Sequence, residues 1–156
     1  MFEFFRFIHI AGMAMFFGSI LAHVATGLIP GAADGGPAML AARQAIALAN
    51  WCVTVPGLIL AFVSGGYLAA KGGHQKRARF GMHIAGAVAV AAIAAIVLIP
   101  SALELEAAAK AVAAGTMTPD AFAGAVKREY TFGAANIILT IIVIAAGTGL
   151  PRLRKD

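Results

Sequence analysis

Three histidines, His9, His23 and His83, stand within long apolar stretches of this 156-residue chain, and a fourth, His74, stands in a basic segment. A neutral imidazole can give one nitrogen to a metal while the other donates a hydrogen bond, so histidines in apolar surroundings suit iron or copper ligation. His9, Gly12, Phe16, Ser19 and His23 recur at steps of three and four residues, which places them on one helix face. His9 and His23 are 14 residues apart, about 21 Å along a helix axis, so they mark two separate levels. His83 follows Arg79 by one turn and shares its face with Gly86, Ala87 and Val90. His9 lies just after Arg6, so the two imidazoles are expected at one depth on two helices running in the same direction. That arrangement predicts His9 and His83 as metal ligands, the axial pair of one b-type haem per chain. Gly12 and Gly86 would leave room beside it, and Arg6 and Arg79, with Lys76 and Arg77, would pair with its propionates at the rim. No C-x-x-C-H is present, so covalent c-type attachment is excluded.

A second polar group gathers at the other level: His23, Asn50, Thr54, Tyr130 and Asn136. Asn136, Thr140, Val143 and Gly147 form one seam of the last apolar stretch. An asparagine in lipid must be bonded, so it clamps a neighbouring helix or meets a ligand. The plainer account of each feature is packing: a boundary histidine bonds a carbonyl, seam glycines allow close approach, and the polar group is a structural cluster. Met13, Met15 and Met82 have the thioethers that Cu(I) favours, but no Met-x-x-Met series accompanies them, so they read as filler. Cys52 reads as a small buried hydrophobe, Trp51 and Tyr130 as boundary aromatics, and His74 as solvated. No soluble-enzyme motif for nucleotide, zinc or serine chemistry occurs.

The elements that must position these residues follow from composition. The chain is 61% apolar and only 12% charged, about half the charge that coats an ordinary soluble domain. Its mean hydropathy is +0.88. A soluble domain, a disordered tail and a disulfide scaffold are thereby excluded. The net charge of +5 lies between apolar runs, which argues against nucleic acid as a partner. Continuous apolar runs at 4–29, 46–70, 80–103 and 130–150 predict four spanning helices. Residues 104–129 are expected to be an extramembrane, partly helical segment, with Thr118-Pro119-Asp120 starting a helix. The first run is too long for a signal peptide and is expected to stay as a span. Pro56 and Pro100 should kink the spans or mark their ends. No internal repeat is evident.

Arg6, Lys71, Lys76, Arg77, Arg79, Arg152, Arg154 and Lys155 fall on one side, against Arg43, Lys110, Lys127 and Arg128 on the other. The basic side is expected to be cytoplasmic. The fold expected is therefore all-α: a single transmembrane domain, an integral membrane antiparallel four-helix bundle with both termini inside, multi-pass in a cell membrane of bacterial inner-membrane type.

With these residues placed, the chain resembles the small four-helix membrane proteins related to the HemJ-type protoporphyrinogen oxidases and the CopD-like domains. Phe7-Ile8-His9-Ile10-Ala11-Gly12 is similar to the group's opening signature. Val55-Pro56-Gly57-Leu58-Ile59-Leu60, ending in Gly65-Gly66, is similar to its second helix, and Asn136 followed by Ile137 to Ile144 to its last. The resemblance implies that His9 is the first-helix haem ligand. It departs at two places: Arg79 and His83 stand where HemJ-type enzymes carry a lysine, and Asn136-Ile137-Ile138-Leu139 lacks their acid and proline. Haem or porphyrin binding is thus implied more than protoporphyrinogen oxidation, and copper handling less again.

The function expected is redox: electron transfer, or oxidation of a small membrane-soluble substrate near His23, Tyr130 and Asn136. Its partners would be membrane lipid, a quinone or porphyrin, and a second copy or a redox protein. The rival expectations are a copper or haem transport protein and a structural subunit of a larger membrane complex.

Overall fold

The computed structural model describes residues 1–33, 38–71 and 78–148, apart from the side chains of Ala78 and Arg79. Four long helices are described: α1 (Phe2–Gly27), α2 (Met39–Lys71), α3 (Phe80–Ala113) and α4 (Pro119–Thr148). Each contains a window apolar enough to cross a membrane. A helix bonds its backbone polar groups internally, which lipid demands. The outward side chains are apolar, among them Phe7, Ile10, Val63, Ile96 and Ile138. The chain is a multi-pass, all-helical membrane protein.

Two helices begin earlier than the apolar runs suggest. α2 starts at Met39, ahead of the expected Ile46, because Met39, Ala42, Arg43, Ile46 and Ala47 bury one face of its opening turns. α4 starts at Pro119 and not at Tyr130, because Phe122 and Val126 pack with Met39, Leu105 and Ala109 into a small core. Most of segment 104–129 is thus a helical hairpin packed at one end of the bundle. Its turn is a Schellman motif: Thr116 N–H donates to the Ala111 carbonyl at 2.9 Å and Gly115 N–H to that of Val112 at 3.0 Å. Gly115 there takes φ +73°, which a side chain would resist.

Pro56 and Pro100 leave a more specific mark than a kink. Each follows a π-helical turn, Asn50–Thr54 in α2 and Ala94–Leu98 in α3. Proline donates no N–H and crowds the carbonyl four residues back, which lies inside that turn; the wider π turn absorbs the conflict. The extra residue shifts the helix phase. Asn50 and Thr54 are buried, while Trp51 and Cys52 turn outward, so Cys52 is exposed and not the buried hydrophobe expected.

α1 packs along α2, and α3 along α4. In the first pair Gly12 meets the backbone of Ala61 and Gly57, while Thr54 bonds Ser19, so partners descend α2 as α1 climbs. In the second pair His83 lies on Gly147, and Gly86 meets Val143. The glycines let the backbones approach, the usual device where water drives no association. Phe16, Ile20, Val90, Ala94 and Val143 join the pairs in a mid-bundle core. The two pairs otherwise meet mainly where Met39–Ala49 lies on Ile99–Ala113, and their backbones make few approaches elsewhere.

The pairs are also built alike, which corrects the expectation of no repeat. His-Ile-Ala-Gly occurs at 9–12 in α1 and again at 83–86 in α3. In both copies the histidine rests on a glycine of its partner helix, Gly65 or Gly147, and bonds a carbonyl four residues before it.

Candidate functional site

His9 and His83 face each other across the slot between the two helix pairs. Their ring centres are 6.3 Å apart and their planes are inclined by 72°. His9 Nδ1 lies 2.8 Å from the Ala61 carbonyl, and His83 Nδ1 lies 2.9 Å from that of Val143. A carbonyl oxygen only accepts, so each Nδ1 carries a hydrogen, and in the neutral ring each Nε2 then keeps its lone pair. Ring orientation and tautomer are thereby set for a ligand at Nε2, the arrangement that a backbone carbonyl imposes on metal-binding histidines. Ser64 adds a hydroxyl 3.4 Å from His9 Nδ1 and is itself held by the Leu60 carbonyl.

Glycine completes both seats. A Cβ on Gly147 would stand 2.7 Å from His83 Nδ1, and one on Gly65 would stand 3.0 Å from His9 Cε1. Both rings line a cavity of about 40 Å³ whose lining is otherwise almost wholly apolar and includes Met13, Phe16, Phe62 and Val90. Thr140, whose hydroxyl donates to the Asn136 carbonyl at 2.7 Å, is its polar exception beside the histidines. Among the described residues no three or more His, Cys, Asp or Glu converge on a metal-sized site.

The other expected residues are distributed differently. Gly12 and Gly86 are taken up by helix packing within each pair: a Cβ would come within 2.6 Å of Ala61 N and 2.5 Å of Val143 Cγ2 respectively. Arg6 is exposed and lies 3.7 Å from Glu3. The Arg79 side chain, Lys76, Arg77 and His74 lie outside the described residues, as do Arg152, Arg154 and Lys155.

The second polar group divides. Thr54 donates to Ser19 at 2.9 Å, and Asn50 is buried beside it in the π turn. Tyr130 OH donates to the Gly27 carbonyl at 3.1 Å, joining α4 to α1. Asn136 is fully buried, and neither side-chain amide atom has a partner among the described residues, so a water or a polar ligand is due there. His23 Nε2 is likewise buried and unpartnered among them.

The residues that sequence reasoning passed over are Arg43, counted only among the basic residues of one side, and Glu129, within the segment expected outside the membrane. Arg43 is 1% exposed, and its Nη1 donates to Glu129 Oε2 at 2.5 Å. Its guanidinium also lies 5.6 Å from the centre of the Phe122 ring. The signal was available: Arg43 is the one charge in a helical opening that is otherwise apolar but for Gln44, and such a charge faces inward with a partner.

Four apolar helices bundled around inward histidines and a buried ion pair define a polytopic membrane protein with polar sites in its interior. The chain belongs to the family described as "Predicted integral membrane protein (DUF2269)", whose model matches residues 3–148. No curated protein and no solved structure matches the chain.

Proposed function

We propose that this protein is an antiparallel four-helix bundle with both termini on the cytoplasmic side, and that it holds one b-type haem between His9 and His83 for a redox role. The observation that carries the reading is the spacing of the two rings. Metal–imidazole bonds of about 2 Å put each ring centre about 3 Å from the metal, so two opposed ligands bring ring centres about 6 Å apart. The 6.3 Å separation meets that requirement with both Nδ1 atoms already bonded to carbonyls. Rings that share the ligand axis are free to differ in plane, so 72° is compatible with it. The 40 Å³ cavity is smaller than a macrocycle, and Met13 and Phe62 are lining side chains that one would displace. The sparse contact between the pairs favours such an opening. A bound haem would supply one-electron chemistry. His9 and His83 would hold the iron, the apolar lining would exclude water, and Arg6 would stand at the rim. The resemblance to HemJ-type and CopD-like proteins is consistent with a porphyrin or metal ligand. Redox here means electron transfer or oxidation of a small lipid-soluble compound, a quinone or porphyrin, toward the level of His23, Tyr130 and Asn136.

A second reading, a copper carrier, draws on Met13, which lines the cavity beside both histidines. One preparation separates the readings. Protein purified in detergent with haem b supplied should show a Soret band that shifts on dithionite, at one haem per chain. His9→Ala and His83→Ala should each lose it. A colourless protein overturns the haem reading. Cu(I) binding to that protein would favour the carrier, and binding of neither would favour a structural subunit.

A further inference from the structure

The far end of the bundle carries hydrogen-bonding capacity that the fold does not use. Arg43 spends Nη1 on Glu129, yet its Nε and Nη2 are buried without a partner among the described residues. Buried donors left open cost free energy of the order of a lost hydrogen bond each. His23 Nε2, buried and also open, belongs to the same neighbourhood: it lies one helical turn before Gly27, whose carbonyl Tyr130 bonds, and Tyr130 adjoins Glu129, the partner of Arg43. Tyr130 is 42% exposed and bridges α1 and α4 at Gly27, so this neighbourhood reaches the surface of the bundle between those helices.

Charge balance selects the ligand. Arg43 and Glu129 already neutralise each other, and an added anion would leave a net negative charge in an apolar setting, which is costly. The open donors therefore suit a neutral oxygen acceptor. Tyr130, exposed at the bundle surface, offers an aromatic ring to a flat apolar body behind that oxygen.

We propose that Arg43 and His23 form a binding site for a neutral carbonyl head group on a lipid-soluble body, that is, a quinone. Arg43 donates to the carbonyl oxygen from Nε and Nη2, with Nη1 held by Glu129 as the anchor. His23 donates from Nε2 in the tautomer that carries its hydrogen there. The inference deepens the redox reading by selecting a quinone and assigning the residues that hold it, and its binding test stands without haem.

The test uses the full chain in detergent and a benzoquinone with a decyl tail, carbon-13 labelled at its carbonyls. Saturable binding with the carbonyl stretch lowered in infrared difference spectra is expected. Arg43→Lys keeps a cation for Glu129 but lacks the guanidinium fork, so it should retain the fold and bind about tenfold more weakly. His23→Leu leaves the ion pair untouched and should also weaken binding, and it decides the matter if Arg43→Lys does not fold. Non-saturating uptake with an unshifted carbonyl would overturn the proposal, and so would unchanged affinity in both variants. Displacement of the quinone by dodecyl phosphate would show an anion site instead and would equally overturn it.

Discussion

Replacing Glu129 by alanine is expected to destabilise the protein by about 3–5 kcal/mol, because it strands a buried arginine. Arg43 is 1% exposed, and Glu129 is the carboxylate that answers it. Without that carboxylate, no guanidinium nitrogen retains a hydrogen-bond partner among the described residues, since Nε and Nη2 already lack one. The pair also joins α2 to α4, at the end where the two helix pairs are most closely packed. The double variant Arg43→Met with Glu129→Leu should recover most of the loss, since apolar residues of similar volume commonly replace a buried pair at little cost. Unfolding titrations in mixed micelles with SDS measure both. A loss below about 1 kcal/mol for Glu129→Ala, the range of a surface pair, would show that the charges are solvated.

The second large effect is expected at the crossing of α1 and α2. A Cβ on Gly12 would lie 2.6 Å from Ala61 N and 2.8 Å from the Gly57 carbonyl oxygen. Both are backbone atoms and cannot rotate aside. Gly12→Leu should therefore cost about 3 kcal/mol by forcing the helices apart. It should also draw His9 away from the Ala61 carbonyl, one turn below. Gly18→Leu is the control, because nothing lies within 4 Å of its added Cβ. The same titration reads both variants, and equal stability for the two would contradict the close approach described.

The number of spans, the seam of α1 and the inward face of α4 were legible because lipid allows few solutions: long apolar runs become helices, and polar side chains turn inward. Phe16 and Ser19 on α1, and Asn136, Thr140 and Val143 on α4, are buried as their spacing requires. The equal depth of His9 and His83 was legible from their distance past Arg6 and Arg79. Their seats were not, because the Ala61 and Val143 carbonyls are backbone groups that a sequence does not distinguish. The His-Ile-Ala-Gly repeat is four residues in a chain rich in such residues, and only its matching contacts give it meaning. Gly12 and Gly86 looked like space for a ligand, whereas the helix packed against each supplies the reason for a missing side chain. The starts of α2 and α4 were missed because Arg43 counted only among the basic residues of one side and Glu129 fell within the segment expected outside the membrane. Their mutual neutralisation lets both helices run on as one packed hairpin end.

Electron paramagnetic resonance of the ferric, haem-loaded protein tests most directly the proposed holding of haem iron by His9 and His83. Two neutral imidazoles give low-spin iron. With their planes inclined by 72°, the signal should be the strongly anisotropic low-spin type and not the rhombic type of parallel rings. A high-spin spectrum from iron held by one histidine, or haem that stays in the detergent and gives the same spectrum without protein, would contradict the account.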